Sequence, residues 1–251
     1  MNISSIYRYP VKGLSADSLS QVLLQKDQGL AFDRFWAIEN GVHDFDSDNP
    51  RFFPKRRFLQ LAQNPKLAQL RCRFDEASQT LTILHNKKQL VSADMASSQG
   101  ISAIEHCIAN FMENDMDGAP RLVSASGHHF SDIPQKAVSL INLASVREIS
   151  ASVGKTISPL RFRGNIYIDG IEPWAEMNWQ GKTLNIAGKP VFEIFDIIGR
   201  CPATKVNLHT GERDVEMLDV LNSSFGHTKC GVYMKTINDS LIKTGEKFTL
   251  S

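Results

Sequence analysis

The sequence predicts a mainly β protein with some helix, an α+β fold whose strands form barrel-like sheets. Three observations predict it. Short runs rich in β-branched and aromatic residues recur along all 251 residues, bounded by turn chemistry. Only three stretches carry apolar residues at helical spacing. Strands and helices do not alternate as they would in a doubly wound sheet.

In chain order, Ile3–Tyr9, Gln21–Gln25, Phe32–Ile38, Ala68–Phe74 and Thr80–Leu84 read as strands. Phe74 to Thr80 reads as a hairpin connection, and Asn86-Lys87-Lys88 as a second turn. Ile101, Ile104, Ile108, Phe111 and Met112 predict an amphipathic helix over Ile101–Met112, with Cys107 beside its apolar stripe as a small core residue. The polar stretch Asn114–Pro120 ends in Gly118-Ala119-Pro120 and is the best candidate for a domain junction. Arg121–Ser124 and Val138–Ile141 follow as strands. Asn142 is placed to cap a helix over Leu143–Val153, and Gly154 to stop it. Phe162–Ile168, Thr183–Ile186, Val191–Ile198, Ala203–Asn207, Gly231–Ile237 and Lys247–Leu250 read as further strands. Asp214–Leu221 reads as a short helix with Val215, Leu218 and Leu221 facing inward.

Lys plus Arg total 28 and Asp plus Glu 27, so net charge offers no general affinity for nucleic acid or an anionic membrane. No apolar run approaches the roughly 20 residues that span a bilayer. The N-terminal Met1–Arg8 lacks the basic and apolar regions of a signal peptide, so a cytoplasmic location is expected. Cys72, Cys107, Cys201 and Cys230 form no C-x-x-C pair, which argues against a zinc knuckle or an iron–sulfur cluster and for free thiols.

Cys201 stands out in Gly199-Arg200-Cys201-Pro202-Ala203-Thr204-Lys205. An apolar strand ends in Gly199, Arg200 and Lys205 flank the thiol, and Pro202 breaks the ladder. Nearby cations are expected to lower a thiol's pKa, and thiolate is both a nucleophile and a soft metal ligand. A packed structural cysteine is the alternative. Lys12, between Pro10 and Gly13 after the first strand, and Arg34, expected on the strand Phe32–Ile38, are basic residues able to bind phosphate or to serve as surface charge. In Arg163-Gly164-Asn165, Arg163 offers a forked donor, Gly164 close backbone approach, and Asn165 both donor and acceptor.

Asp44–Pro50 begins like a calcium loop, but Lys55 occupies the bidentate Glu position, so a solvated loop is expected. His128-His129 reads as a polar turn, and His209 as an exposed turn residue after the Cys201 strand. No G-x-S-x-G, P-loop or G-x-G-x-x-G sequence is present.

Taken together, these segments resemble the MOSC proteins, most closely the mitochondrial amidoxime-reducing components and their bacterial relatives. The resemblance runs over nearly the whole chain. Its motifs are Ile6–Gly13, Gly29–Ile38, Phe162–Ile166, Gly199–Thr204 and Thr244–Phe248, in that order. It implies an N-terminal MOSC β-barrel domain over residues 1–117 and a C-terminal MOSC β-barrel over 118–251. It further implies a molybdenum cofactor of molybdopterin type, with Cys201 as metal ligand and catalytic residue. By the same resemblance Lys12 and Arg34 hold the cofactor phosphate, Arg163 and Asn165 grip the pterin side, and Arg200 assists with charge. Gly13 stands where the family often has Ser, so a phosphate contact there would fall to backbone N–H. The family's arginine-containing segment does not align readily within Phe53–Phe58, and no residue there is carried over from it.

The activity so implied is reduction of N-hydroxylated compounds by oxygen-atom transfer. Electrons would come from an external donor, a flavin or iron–sulfur/cytochrome reductase. Two alternatives use the same residues: a sulfur-carrier module bearing a persulfide on Cys201, and a non-catalytic module that binds or delivers the cofactor. A chain of this length has no room for a pyridoxal-phosphate (PLP) desulfurase domain, so PLP is not expected.

Overall fold

Ile3 and Ile6 of the first strand are buried, and their partners lie at the far end of the sequence. The structure is a computed structural model describing residues 1–251. It begins with β1 (Asn2–Arg8), β2 (Asp17–Leu19), β3 (Gln21–Leu24) and β4 (Trp36–Asn40). A meander follows, β5 (Leu70–Asp75), β6 (Thr80–His85) and β7 (Lys88–Asp94), with α1 (Ser98–Met112) after it. Next come β8 (Pro120–Ser124), β9 (Val138–Asn142), α2 (Leu143–Val153), β10 (Ile166–Asp169), β11 (Thr183–Ile186) and β12 (Lys189–Gly199). The chain closes with α3 (Met217–Phe225), β13 (Lys229–Thr236), β14 (Ser240–Lys243) and β15 (Phe248–Leu250).

The largest sheet has eight strands in the order β15-β11-β12-β13-β9-β10-β1-β2. Only β9 and β10 pair in parallel, and α2 is the crossover between them. The sheet curls until the segment before β15 meets β1. Ile3 N donates to Glu246 O at 2.9 Å, Gly245 N donates to Ile3 O at 2.7 Å, and Asn2 bridges Lys247. That contact with β1 is one isolated bridge, so the expected barrel is here a curled sheet without a continuous closing ladder. β3 pairs with β14, β4 with β8, and β5 to β7 form a separate meander.

Two clusters of 19 buried residues each form the principal cores. One joins Ile3, Ile6, Val22 and Leu24 to Leu140, Ile168, Phe192 and Val232. The other joins Val11, Leu14 and Trp36 to Leu70, Ile83, Ile104 and Leu122, with Val206 reaching in from the C-terminal half. The chain crosses between the cores several times, and two of those crossings lie between Ile6 and Val11 and near Val206. Lys12 and Cys201 sit beside those two crossings, which is why they can face one seam.

Several elements form as their residues dictate. Asn142 Oδ1 accepts from Ala144 N at 3.0 Å at the start of α2, and Gly154 ends it with φ 73°. α1 starts earlier than its apolar stripe, because Ser97 Oγ accepts from Gly100 N at 3.0 Å.

Four expectations are corrected. The strand expected over Phe32–Ile38 begins only at Trp36, because Phe32 (φ 60°) and Arg34 (φ 50°) are left-handed. Arg34 is thus a turn residue whose N–H donates to Tyr9 O at 2.7 Å. The apolar pattern there reflects packing: Phe32 stacks on Trp36 at 5.8 Å and meets Phe74 at 5.3 Å. The strand expected over Phe162–Ile168 begins at Ile166, after a 3-10 helix at Pro159–Phe162 and a left-handed Arg163 (φ 50°). Ala203–Asn207 is not a strand, since Pro202 opens a 3-10 helix over Pro202–Lys205. The helix expected from Asp214 starts at Met217, because the Asp214 carboxylate is bound by Arg161 instead of capping a helix. β2, β7 and β14 are additional strands; β7 is mostly polar and exposed, so no apolar alternation announces it.

Candidate functional site

The seam between the two cores opens into a cleft of about 380 Å³. The residues that the family resemblance assigned to a cofactor site all line it: Lys12, Gly13, Arg34, Arg163, Asn165, Arg200 and Cys201. Six cationic side chains, those of Lys12, Arg34, Lys55, Arg161, Arg163 and Arg200, face three carboxylates, Asp33, Asp132 and Asp196, so the lining carries three surplus positive charges.

Cys201 is delivered by the long strand β12 and immobilised by the turn after it. Its carbonyl accepts from Thr204 N at 3.1 Å and Thr204 Oγ1 at 2.9 Å. Its side chain is half-buried, and none of the other three cysteines lines the cleft. Burial pushes the Cys72 thiol up to about 11 and the Cys230 thiol up to about 12, and raises that of half-buried Cys107. Those three are packing residues.

Lys12 is buried and donates to Phe130 O and Asp132 Oδ1, each at 2.7 Å. Burial lowers its pKa below the ordinary lysine value, against the opposing pull of Asp132. Arg34 is held by Asp33 Oδ2 at 2.5 Å and by Arg163 O at 2.8 Å. Arg163 donates to Leu14 O at 2.8 Å. Both guanidinium groups lie over the Tyr9 ring, at 4.4 Å for Arg34 and 4.3 Å for Arg163. Burial and the neighbouring Arg34 lower the Arg163 pKa. For Arg34, burial acts in the same direction but Asp33 and Tyr9 outweigh it.

Gly13 has φ +85°, and a Cβ there would lie 2.5 Å from Leu59 O. A side chain is excluded by the backbone behind it, which accounts for Gly in place of the family's Ser. The Gly13 N–H makes no backbone hydrogen bond.

Asn165 and Arg200 hold the walls together. Asn165 Oδ1 accepts from Ser139 N at 3.1 Å and Ser139 Oγ at 2.8 Å, while Nδ2 donates to Tyr7 O at 3.1 Å. It thereby ties β1, β9 and the approach to β10 into one frame. Arg200 Nε donates to Cys230 O and Nη1 to Phe162 O, each at 2.8 Å. It braces the residue next to Cys201 against two other segments.

Sequence reasoning missed Lys55 and Asp132. Lys55 lies in a short 3-10 helix, Lys55–Arg57, and its Nζ approaches Asp132 Oδ2 at 3.4 Å. Asp132 therefore links Lys12 and Lys55. Burial opposes the charge on Lys55, but Asp132 and the neighbouring Cys201 outweigh it and raise its pKa. Burial likewise opposes the charge on Asp132, but Lys12 and Lys55 hold its carboxyl far below the usual range. An opposite charge elsewhere in the sequence was the only available signal.

The remaining candidates lie apart from the cleft. No group of three or more His, Cys, Asp or Glu side chains is placed to hold a metal ion, and the Asp44 carboxylate pairs with Arg57. His209 is exposed, as expected, beside Arg71. His128 and His129 stack at 6.1 Å in the loop before Phe130. No helix is long and apolar enough to cross a membrane.

Residues 1–124 match the MOSC N-terminal beta barrel domain, and residues 125–249 match the MOSC domain. The chain belongs to the MOSC family. Among curated proteins it is similar to the molybdenum cofactor sulfurase of Drosophila melanogaster, 28% identical over 250 residues. That match covers 91% of this chain and 31% of the relative. The molybdenum cofactor sulfurase of Danio rerio is 24% identical over 272 residues, covering 92% of this chain and 31% of the relative. The MOSC chain thus spans 31% of the length of these curated relatives. Among solved structures it is similar to the YUAD protein of Bacillus subtilis, at 8% identity and a TM-score of 0.46, covering 99% of this chain and 94% of that one.

Proposed function

We propose that this MOSC protein is a molybdenum-cofactor oxidoreductase that reduces N-hydroxylated compounds by oxygen-atom transfer. One observation carries the reading: a single half-buried thiol, Cys201, shares a cleft with six cations drawn from both halves of the chain. The donor set fits an anionic pterin that bears a soft metal. Cys201 offers the metal a thiolate. Lys12, Arg34 and the Gly13 N–H would hold the phosphate, and Arg163 would bind the pterin side. Asn165 and Arg200 keep those groups in register through their backbone ties. When bound, the cofactor supplies the two-electron, oxygen-accepting chemistry. The proposed partners are a small N-oxygenated substrate and an external electron donor, a flavin or iron–sulfur/cytochrome reductase, in a cytoplasmic setting.

Elemental analysis and pterin fluorescence test the reading on protein made in a cofactor-competent host. About one molybdenum per chain is expected, and absence of both metal and pterin would overturn it. A second reading is favoured by the curated relatives, which are named as molybdenum cofactor sulfurases. In it Cys201 carries a persulfide and passes sulfur on. That module would release labile sulfane sulfur from Cys201 and carry no pterin.

A further inference from the structure

Of the six cations lining the cleft, five are each oriented by at least one hydrogen bond of 2.8 Å or shorter within the protein. Lys12 is bound by Phe130 O and Asp132, Arg34 by Asp33 and Arg163 O, and Arg161 by both oxygens of Asp214. Arg163 is bound by Leu14 O, and Arg200 by the carbonyls of Phe162 and Cys230. Lys55 differs. Its only hydrogen bond within the protein is the long one of 3.4 Å to Asp132, which leaves donor capacity on an ammonium that has three N–H groups. Its side chain is 37% exposed, against 7% for Lys12, 15% for Arg34 and 4% for Arg161.

Resting on the function proposed above, we infer that Lys55 is the substrate-recognition cation of the cleft, meeting the oxygen of a small N–O ligand as it arrives beside Cys201. The buried cations are oriented by the protein before any ligand comes. A half-exposed ammonium on a flexible stem follows ligands of different shape, which a rigid guanidinium fork does not. Asp132 sets the reach of that stem, and Lys12 fixes Asp132 from behind. The ligand class that suits it is an oxygen carrying negative charge or strong acceptor character on nitrogen, in a molecule small enough for a cleft of about 380 Å³.

The test uses the full chain prepared without metal, alkylated by iodoacetate and separately by iodoacetamide, with modification followed at the Cys201 peptide by mass spectrometry. The two reagents deliver the same reaction and differ in charge, so the ratio of their rates reads the local field and cancels the thiol's own reactivity. Lys55→Met should lower the iodoacetate-to-iodoacetamide ratio about fivefold, the effect of one unit charge at close range in water. Lys55→Arg should keep the ratio, and so should Lys189→Met, which removes an exposed charge outside the cleft. An unchanged ratio in Lys55→Met overturns the inference. In metal-loaded protein, Lys55→Met should raise KM for an N-hydroxylated substrate at unaltered molybdenum content, and an unchanged KM also overturns it. Protein that never acquires molybdenum still yields the alkylation ratio, so failure of the cofactor reading and failure of the Lys55 assignment register separately.

Discussion

Lys12 Nζ and Asp132 Oδ1 lie 2.7 Å apart, a bond between residues 120 positions apart in the chain. It closes the floor of the cleft and joins the first loop to the segment after β8. Asp132→Asn leaves the buried Lys12 with Phe130 O as its remaining partner. Asp132 is 45% exposed, so solvent screens the pair, and the expected loss is about 1–2 kcal/mol, not that of a fully buried ion pair. Urea denaturation at neutral pH measures it. Molybdenum content of the same variant should also fall, since Lys12 then loses the group that aims it.

Much of this site was legible before the fold was known, for identifiable reasons. Cys201 follows an apolar strand and precedes a proline, a local pattern that survives folding. α2 was legible because Asn142 and Gly154 carry their capping chemistry in their own side chain and backbone. Arg34 and Arg163 were foreseen as site residues but not as turn residues, because each adopts positive φ without being glycine. Lys55 was hidden in the run Lys55-Arg56-Arg57. Which of three adjacent cations turns into the cleft is decided by a 3-10 helix and by Asp132, 77 positions away. Arg56 is exposed and Arg57 pairs with Asp44. Tertiary partners of that kind leave no local trace.

Cys201→Ser separates metal binding from folding. The turn at Cys201 is fixed through its carbonyl by Thr204, not through its sulfur. The variant should melt within about 2 °C of the parent, as expected where no core group or buried hydrogen bond is lost. It should retain no molybdenum and no reductase activity. Full activity in Cys201→Ser would sink the metal-ligand role.

Gly13→Ser restores the residue common in the family and should nevertheless destabilise this chain. The backbone there has φ +85°, and the new Cβ would meet Leu59 O at 2.5 Å. Moving backbone to relieve that contact, in addition to left-handed strain, is expected to cost about 2–3 kcal/mol. The shift appears as a lowered urea midpoint. A Leu59 carbonyl that moved freely aside would leave the midpoint unchanged and show that the loop is softer than its hydrogen bonds suggest.

Acid stability should depend on Asp214. Arg161 binds both its oxygens, Nη1 to Oδ1 at 2.7 Å and Nη2 to Oδ2 at 3.0 Å, and Asn207 Nδ2 adds a bond at 3.0 Å. The Arg161 hydrogen bonds hold the carboxyl far below the usual carboxylate range. A carboxyl whose folded pKa is depressed stabilises the fold fully above its unfolded value, near 3.9, and that contribution is lost as pH falls from there toward the folded pKa. Unfolding free energy should therefore be insensitive to this group from pH 7 down to about 5 and should fall steeply below about 4. Asp214→Asn removes the carboxyl, leaves Arg161 buried with weaker partners, and should cost about 2 kcal/mol at pH 7. The deficit of the variant should narrow as pH drops below about 4, because the parent then loses what the variant already lacks. Glu176 works in the opposite sense. It is fully buried, its pKa is raised by that burial, and its charged form is the penalised one, so its titration favours the fold on the acid side. Urea midpoints for parent, Asp214→Asn and Glu176→Gln between pH 3 and pH 7 would resolve the two slopes, and parallel curves for all three would contradict both assignments.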